Sequence, residues 1–300
     1  MAHPTGKASP PALSSHMIKH HLRHRAITTH VEGGERDREL RLAGALENEN
    51  GELRLGLIRA ASHGDMGTLK ATLPFLRHVT QDHYLELLNE PLSASAAANH
   101  AASVAVLLEW GADPMRLFNG EPAVVVAAAC GNAESLETIV NHGVNINCRS
   151  HTGYSPLMKA CANGHTQVAE YLVHSGADRD IVTIPGGLTA LMIGANKGNM
   201  TICRLLLDGN MSTGEKGCDR EKHENHLGYT AMMIAARKDY AHIVDAISSF
   251  GGNVHARDKG GMTAIHHAAH FNKLRTFRFL WSFEGCINDK DDEGRTPLVI

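Results

Sequence analysis

Three hundred residues would ordinarily supply about two globular domains, and a 43% apolar share is enough to bury a core. The net charge of −3 excludes a polycation that holds nucleic acid by charge alone. The longest unbroken apolar run, 122–130, is far short of the ~20 residues a membrane-spanning helix needs.

Residues 1–31 contain no acid, and Lys7, Lys19, Arg23 and Arg25 stand among His16, His20, His21, His24 and His30. Pro4, Pro10 and Pro11 oppose regular structure at the start. Segment 1–52 is therefore expected to be a basic, histidine-rich, disordered tail. Its composition also fits a mitochondrial presequence, or transient binding to metal or an acidic surface. No charged-then-apolar secretory signal is visible. Between 35 and 57, charged residues alternate with leucines, which predicts a lead-in helix.

From residue 53 a repeating array is expected to run to residue 300. Gly120, Gly153, Gly187, Gly228, Gly261 and Gly294 stand 33, 34, 41, 33 and 33 residues apart. Each opens one phrase: GYSPLMKACANGH from Gly153, GYTAMMIAARKDY from Gly228, GMTAIHHAAHFNK from Gly261 and an incomplete GRTPLVI from Gly294. Such a period marks one supersecondary unit stacked many times, each copy completing its core on its neighbours. After Gly-x, a Ser or Thr is placed to cap a first helix. The copy from Gly120 has Pro122 there and loses that hydroxyl. Gly131, Gly164 and Gly198 are placed to reverse the chain between helices, with Asn99, Asp239 and Asn272 in their stead elsewhere. Leu157 and Leu205 are both expected in the core. About 210–226 a polar insertion is expected to bulge out as a loop.

The phrase resembles the ankyrin repeat, whose T-P-L-H-x-A signature is approached at Ser155-Pro156-Leu157, Thr263-Ala264-Ile265-His266 and Thr296-Pro297-Leu298. Weaker copies start at Leu57 and Glu90. The resemblance implies an all-α solenoid of about seven helix-turn-helix units with projecting β-turns. It also implies a structural role for His266, hydrogen-bonding between neighbouring turns.

Candidate chemistry is sparse. Cys218, His223 and His226 are spaced C-x4-H-x2-H inside the insertion; zinc wants four ligands, or three and water, so these are either a weak metal set or part of a solvated loop. His266 and His270 have i, i+4 spacing but no following Glu, so the H-E-x-x-H pattern is absent. No nucleotide-binding glycine phrase or nucleophile phrase occurs, and no cofactor is expected. The six cysteines form no C-x-x-C and read as reduced thiols of a cytoplasmic or nuclear protein.

The ankyrin resemblance leaves certain positions free to bind: the residue after the first Gly and the two before the helix turn. Here they include Tyr154, Asn196, Lys197, Tyr229, Arg237, Lys238, His270 and Phe271. Aromatics and Arg are common interface anchors. The expected function is a non-catalytic adaptor or scaffold, a monomer that grips an acidic partner protein with apolar anchors in its concave groove. No nucleic-acid partner is expected. The other reading of these residues is a solvated face. The alternative function is the substrate-recruiting N-terminal part of a longer enzyme or membrane protein.

Overall fold

The computed structural model describes residues 53–78, 81–184, 186–208 and 224–300. The expected tail and most of the lead-in helix lie outside these residues, as do Cys218 and His223. The described chain forms seven helix pairs: α1 (53–63) with α2 (Met66–Thr72), α3 (Gln81–Ala97) with α4 (Ala101–Glu109), and α5 (Ala123–Cys130) with α6 (Ala133–Asn141). They continue as α7 (Pro156–Asn163) with α8 (Thr166–His174), α9 (Ala190–Lys197) with α10 (Met200–Leu207), α11 (Ala231–Arg237) with α12 (Ala241–Ser249), and α13 (Ala264–His270) with α14 (Leu274–Trp281). Among the described residues no strand forms; one isolated bridge joins Phe118 and Glu121.

First helices pack on first helices and second on second, so each repeat contacts mainly its neighbours. Composition explains the layering. First helices meet helices on several sides and are apolar almost all round: α5 reads AVVVAAAC, with Ala123, Val124, Val125, Ala127 and Ala128 buried. Second helices keep one wet face: α6 buries Ser135, Leu136 and Ile139 and presents Glu134 and Glu137 outward.

The local signals act as expected. Ser155, Thr189 and Thr230 accept the N–H of Met158, Met192 and Met233 at 3.3, 3.3 and 3.4 Å. Thr263 and His266 form a reciprocal capping box, while Pro122 heads α5 without a side-chain bond. Gly198 has φ +75°, and a Cβ there would come within 2.7 Å of the Tyr240 ring. Asn99 and Asp239 take positive φ as well, for a reason the sequence hides. Asn99 Oδ1 accepts the Ser135 N–H at 3.2 Å, and Asp239 Oδ1 accepts the Thr276 N–H at 3.0 Å. Each satisfies the third residue of the next repeat's second helix. A glycine there would turn the chain but cap nothing.

Two expectations need correction. The copy from Glu90 does not open at its proline: α3 starts at Gln81 and carries Pro91 inside it. Tertiary burial of Leu87, Leu88 and Leu92 holds together a helix that the proline alone would interrupt. Leu205 is only partly buried, whereas Ile202, Cys203, Leu206 and Leu207 are buried. The inward stripe of α10 runs i, i+1, i+4, i+5, and Leu205 falls on its flank. Beyond α10, Arg179 Nη1 donates to the carbonyls of Leu205, Leu206 and Asp208. A buried guanidinium thus satisfies the end of the helix before the insertion.

Candidate functional site

Three free-position residues come together between the sixth and seventh helix pairs. Arg237, in the last turn of α11, lies over the Tyr229 ring with 5.0 Å to its centroid and over the Phe271 ring with 4.7 Å. Tyr229 precedes α11 and Phe271 follows α13, so the stack spans two repeats. The backbone fixes its base: Asn225 Oδ1 accepts the Tyr229 N–H at 2.9 Å. Phe271 stays 38% exposed and meets His270 edge-on at 4.9 Å.

Beneath the stack is a pair that the sequence did not single out. The Tyr229 ring meets His267 edge-on at 4.9 Å. His267 Nε2 lies 2.9 Å from Asp258 Oδ2, and both residues are buried. Asp258 Oδ1 also accepts the N–H of Gly260 and Met262 at 2.8 and 2.9 Å. The donor fit assigns the Nε2–H tautomer to His267, which leaves a buried Nδ1 without a partner. Burial first of all holds the imidazole below its ordinary value of 6.5; Asp258 opposes this, and Arg237 and His270 reinforce it. A clue was present: Ser150, Thr183, Asn225, Asp258 and Asp291 share one turn position, and each accepts an N–H at the start of the next phrase.

The other candidates stand apart. Tyr154 lies under Lys159, with Nζ 5.2 Å from the ring centroid, and Lys159 pairs with Glu121. Asn196 and Lys197 are exposed on the last turn of α9, and Lys238 is exposed just after α11. His226 is exposed and packs against Gly187; its expected metal partners lie outside the described residues. His266 takes the expected bridging role, with Nδ1 at Thr263 and Nε2 3.2 Å from the Arg295 carbonyl of the next phrase. Chemically, the stack offers a cation between aromatic faces, and its planar N–H fork suits a carboxylate. No described helix is long and apolar enough to cross a membrane.

The family model for ankyrin repeats matches three times, over residues 92–183, 157–258 and 232–300. These matches span more than half of the chain, and the chain belongs to the ankyrin repeat family. Ankyrin repeats are generic protein-interaction modules. Alpha-latrocrustotoxin-Lt1a of Latrodectus tredecimguttatus is 32% identical over 89 residues, which is 29% of this chain and 6% of the toxin. Mouse protein phosphatase 1 regulatory subunit 27 is 37% identical over 75 residues, 25% of this chain and 49% of that protein. The chain thus matches only a part of either relative. The solved ankyrin repeat domain of Bcl-3, of the IkappaB family, shares the fold: TM-score 0.64 at 19% identity, covering 76% of this chain and 98% of that one.

Proposed function

We propose that this chain is a non-catalytic adaptor that holds a partner protein on the face formed by its free positions, with Arg237 between Tyr229 and Phe271 as the central anchor. The observation that carries this reading is the stack itself. A guanidinium already ordered between two rings loses little freedom on meeting a partner carboxylate, and preorganisation of this kind favours affinity. Exposed Phe271 and, three residues on, exposed Leu274 at the start of α14 offer apolar contact beside the guanidinium, so the partner is acidic with apolar anchors. Lys238, His270, Asn196, Lys197 and Tyr154 extend the face along the array. The chain acts as a monomer in the cytoplasm or nucleus, which suits the five free thiols among its described residues.

A second reading rests on coverage. Human transient receptor potential channel subfamily A member 1 aligns over 76% of this chain but only 24% of itself, at 25% identity. An array of this kind inside a longer protein would recruit that protein's substrates or partners. The test is quantitative affinity capture with wild-type and Tyr229→Ala/Arg237→Ala/Phe271→Ala chains that melt alike. The reading expects one set of acidic-motif proteins to be depleted in the variant; identical captures would refute it.

A further inference from the structure

The seventh helix pair ends differently from earlier ones. After α4, α6, α8 and α12, an Asx oxygen accepts the N–H two residues on: Asp113, Asn145, Asp178 and Asn253, at 2.9, 2.9, 2.8 and 3.0 Å. One 33-residue period beyond Asn253 stands Cys286, which has no such oxygen. The chain there closes as a 3-10 turn, Cys286–Asn288, with Cys286 fully buried.

That thiol is not alone. His255, in the turn after α12, and Asp289, one repeat on, meet with Nδ1 and Oδ2 2.9 Å apart. One donor atom from each of His255, Cys286 and Asp289 lies within 4.8 Å of the others. The backbone holds the arrangement: the His255 N–H is fixed by Asn253 Oδ1, and the Asp289 N–H by the Cys286 carbonyl at 3.3 Å. The side chains of His255 and Asp289 are 45% and 25% exposed, so the group opens outward while its sulfur sits inside.

We propose that His255, Cys286 and Asp289 form a binding site for a zinc-class divalent metal ion, with water as the fourth ligand. Imidazole nitrogen, thiolate sulfur and carboxylate oxygen are the three donor types zinc accepts. A thiolate disfavours magnesium and calcium, which take oxygen. Bonds of about 2.0–2.3 Å put tetrahedral ligands roughly 3.3–3.7 Å apart. The His255–Asp289 pair must therefore open by a few tenths of an ångström, and the sulfur must close by up to about 1 Å; both rims lie on surface turns. Binding replaces the Cys286 Sγ–H proton, which leaves to solvent. Burial and Asp289 push the free thiol up to about 11, so the metal must displace a firmly held proton and its affinity rises with pH. The ion would clamp the sixth repeat to the seventh, and a ligand of the folded state alone raises stability.

The competing reading is a half-exposed His–Asp pair above a thiol that only fills space. Cobalt(II) titration of the 300-residue chain separates them, because a thiolate-to-cobalt charge-transfer band reports sulfur ligation directly. The histidine-rich tail can hold cobalt but gives no such band. Wild type and Cys218→Ser are expected to show the band with four-coordinate ligand-field absorption, at one ion per chain. Cys286→Ala loses it, and His255→Asn and Asp289→Asn weaken cobalt binding by about 10-fold or more. Absence of the band in wild type, or its survival in Cys286→Ala, overturns the proposal. Should Cys286→Ala fail to fold by circular dichroism, the two rim variants decide: wild-type titrations in both overturn it, and weakened ones sustain it.

Discussion

Arg237 has two roles that substitution can pull apart. A half-buried cation over aromatic rings contributes about 0.5–2 kcal/mol, so Arg237→Ala should lower denaturant stability by no more than that. A central Arg anchor costs roughly 2 kcal/mol or more in binding, and captured partners should weaken by about 30-fold. Core positions behave oppositely. Leu157→Ala and Leu206→Ala should each destabilise by about 2–5 kcal/mol in denaturant melts, with Leu205→Ala clearly milder because Leu205 is only partly buried. His267 makes the fold sensitive to pH. Its folded-state pKa lies below the ordinary 6.5, so between the two values the unfolded chain binds more protons. Its stabilising contribution is complete above pH 6.5 and falls as pH drops from there. Denaturant midpoints measured on both sides of 6.5 should show this decline. His267→Gln, which keeps a donor for Asp258 and does not titrate, should flatten it.

Helix pairs depend on caps that reach across repeats. Thr263 caps α13 together with His266, and His266 continues to the Arg295 carbonyl. Thr263→Ala should cost about 1 kcal/mol in thermal or denaturant unfolding, the usual value of a lost hydroxyl cap. Asp239 joins elements more directly, since its Oδ1 also accepts the Thr276 hydroxyl at 3.1 Å. Caps within a helix were legible in sequence because donor and acceptor are three residues apart. The bonds of Asn99 and Asp239 were not: their partners stand 36 and 37 residues away, in the next repeat. The copy read as starting at Glu90 was misplaced for a related reason. A proline reads locally as a helix start, and only packing against neighbours makes a helix continue through one.

Seven stacked pairs, each resting mainly on its neighbours, should make an elongated particle. Small-angle scattering at several concentrations should give an extended monomer; a compact sphere would contradict the stacking, and a mass rising with concentration would contradict the monomer. Most of the architecture was written in the chain as glycines 33 residues apart, hydroxyls that head helices and small residues that let helices approach. These signals act over a few residues and recur, so repetition makes each one safe to read. Tyr229, Arg237 and Phe271 were readable as candidates by position, but their stacking depends on how two repeats register. Folding gathers His255, Cys286 and Asp289, which no short motif links, whereas Cys218 and His223 of the C-x4-H-x2-H set lie outside the described residues. His267 and Asp258 likewise meet only after a turn folds back over a helix. Local geometry and periodic burial were thus determined by the sequence itself. Side-chain meetings between repeats were decided by tertiary structure, because they rest on rotations and distances that no spacing along the chain encodes.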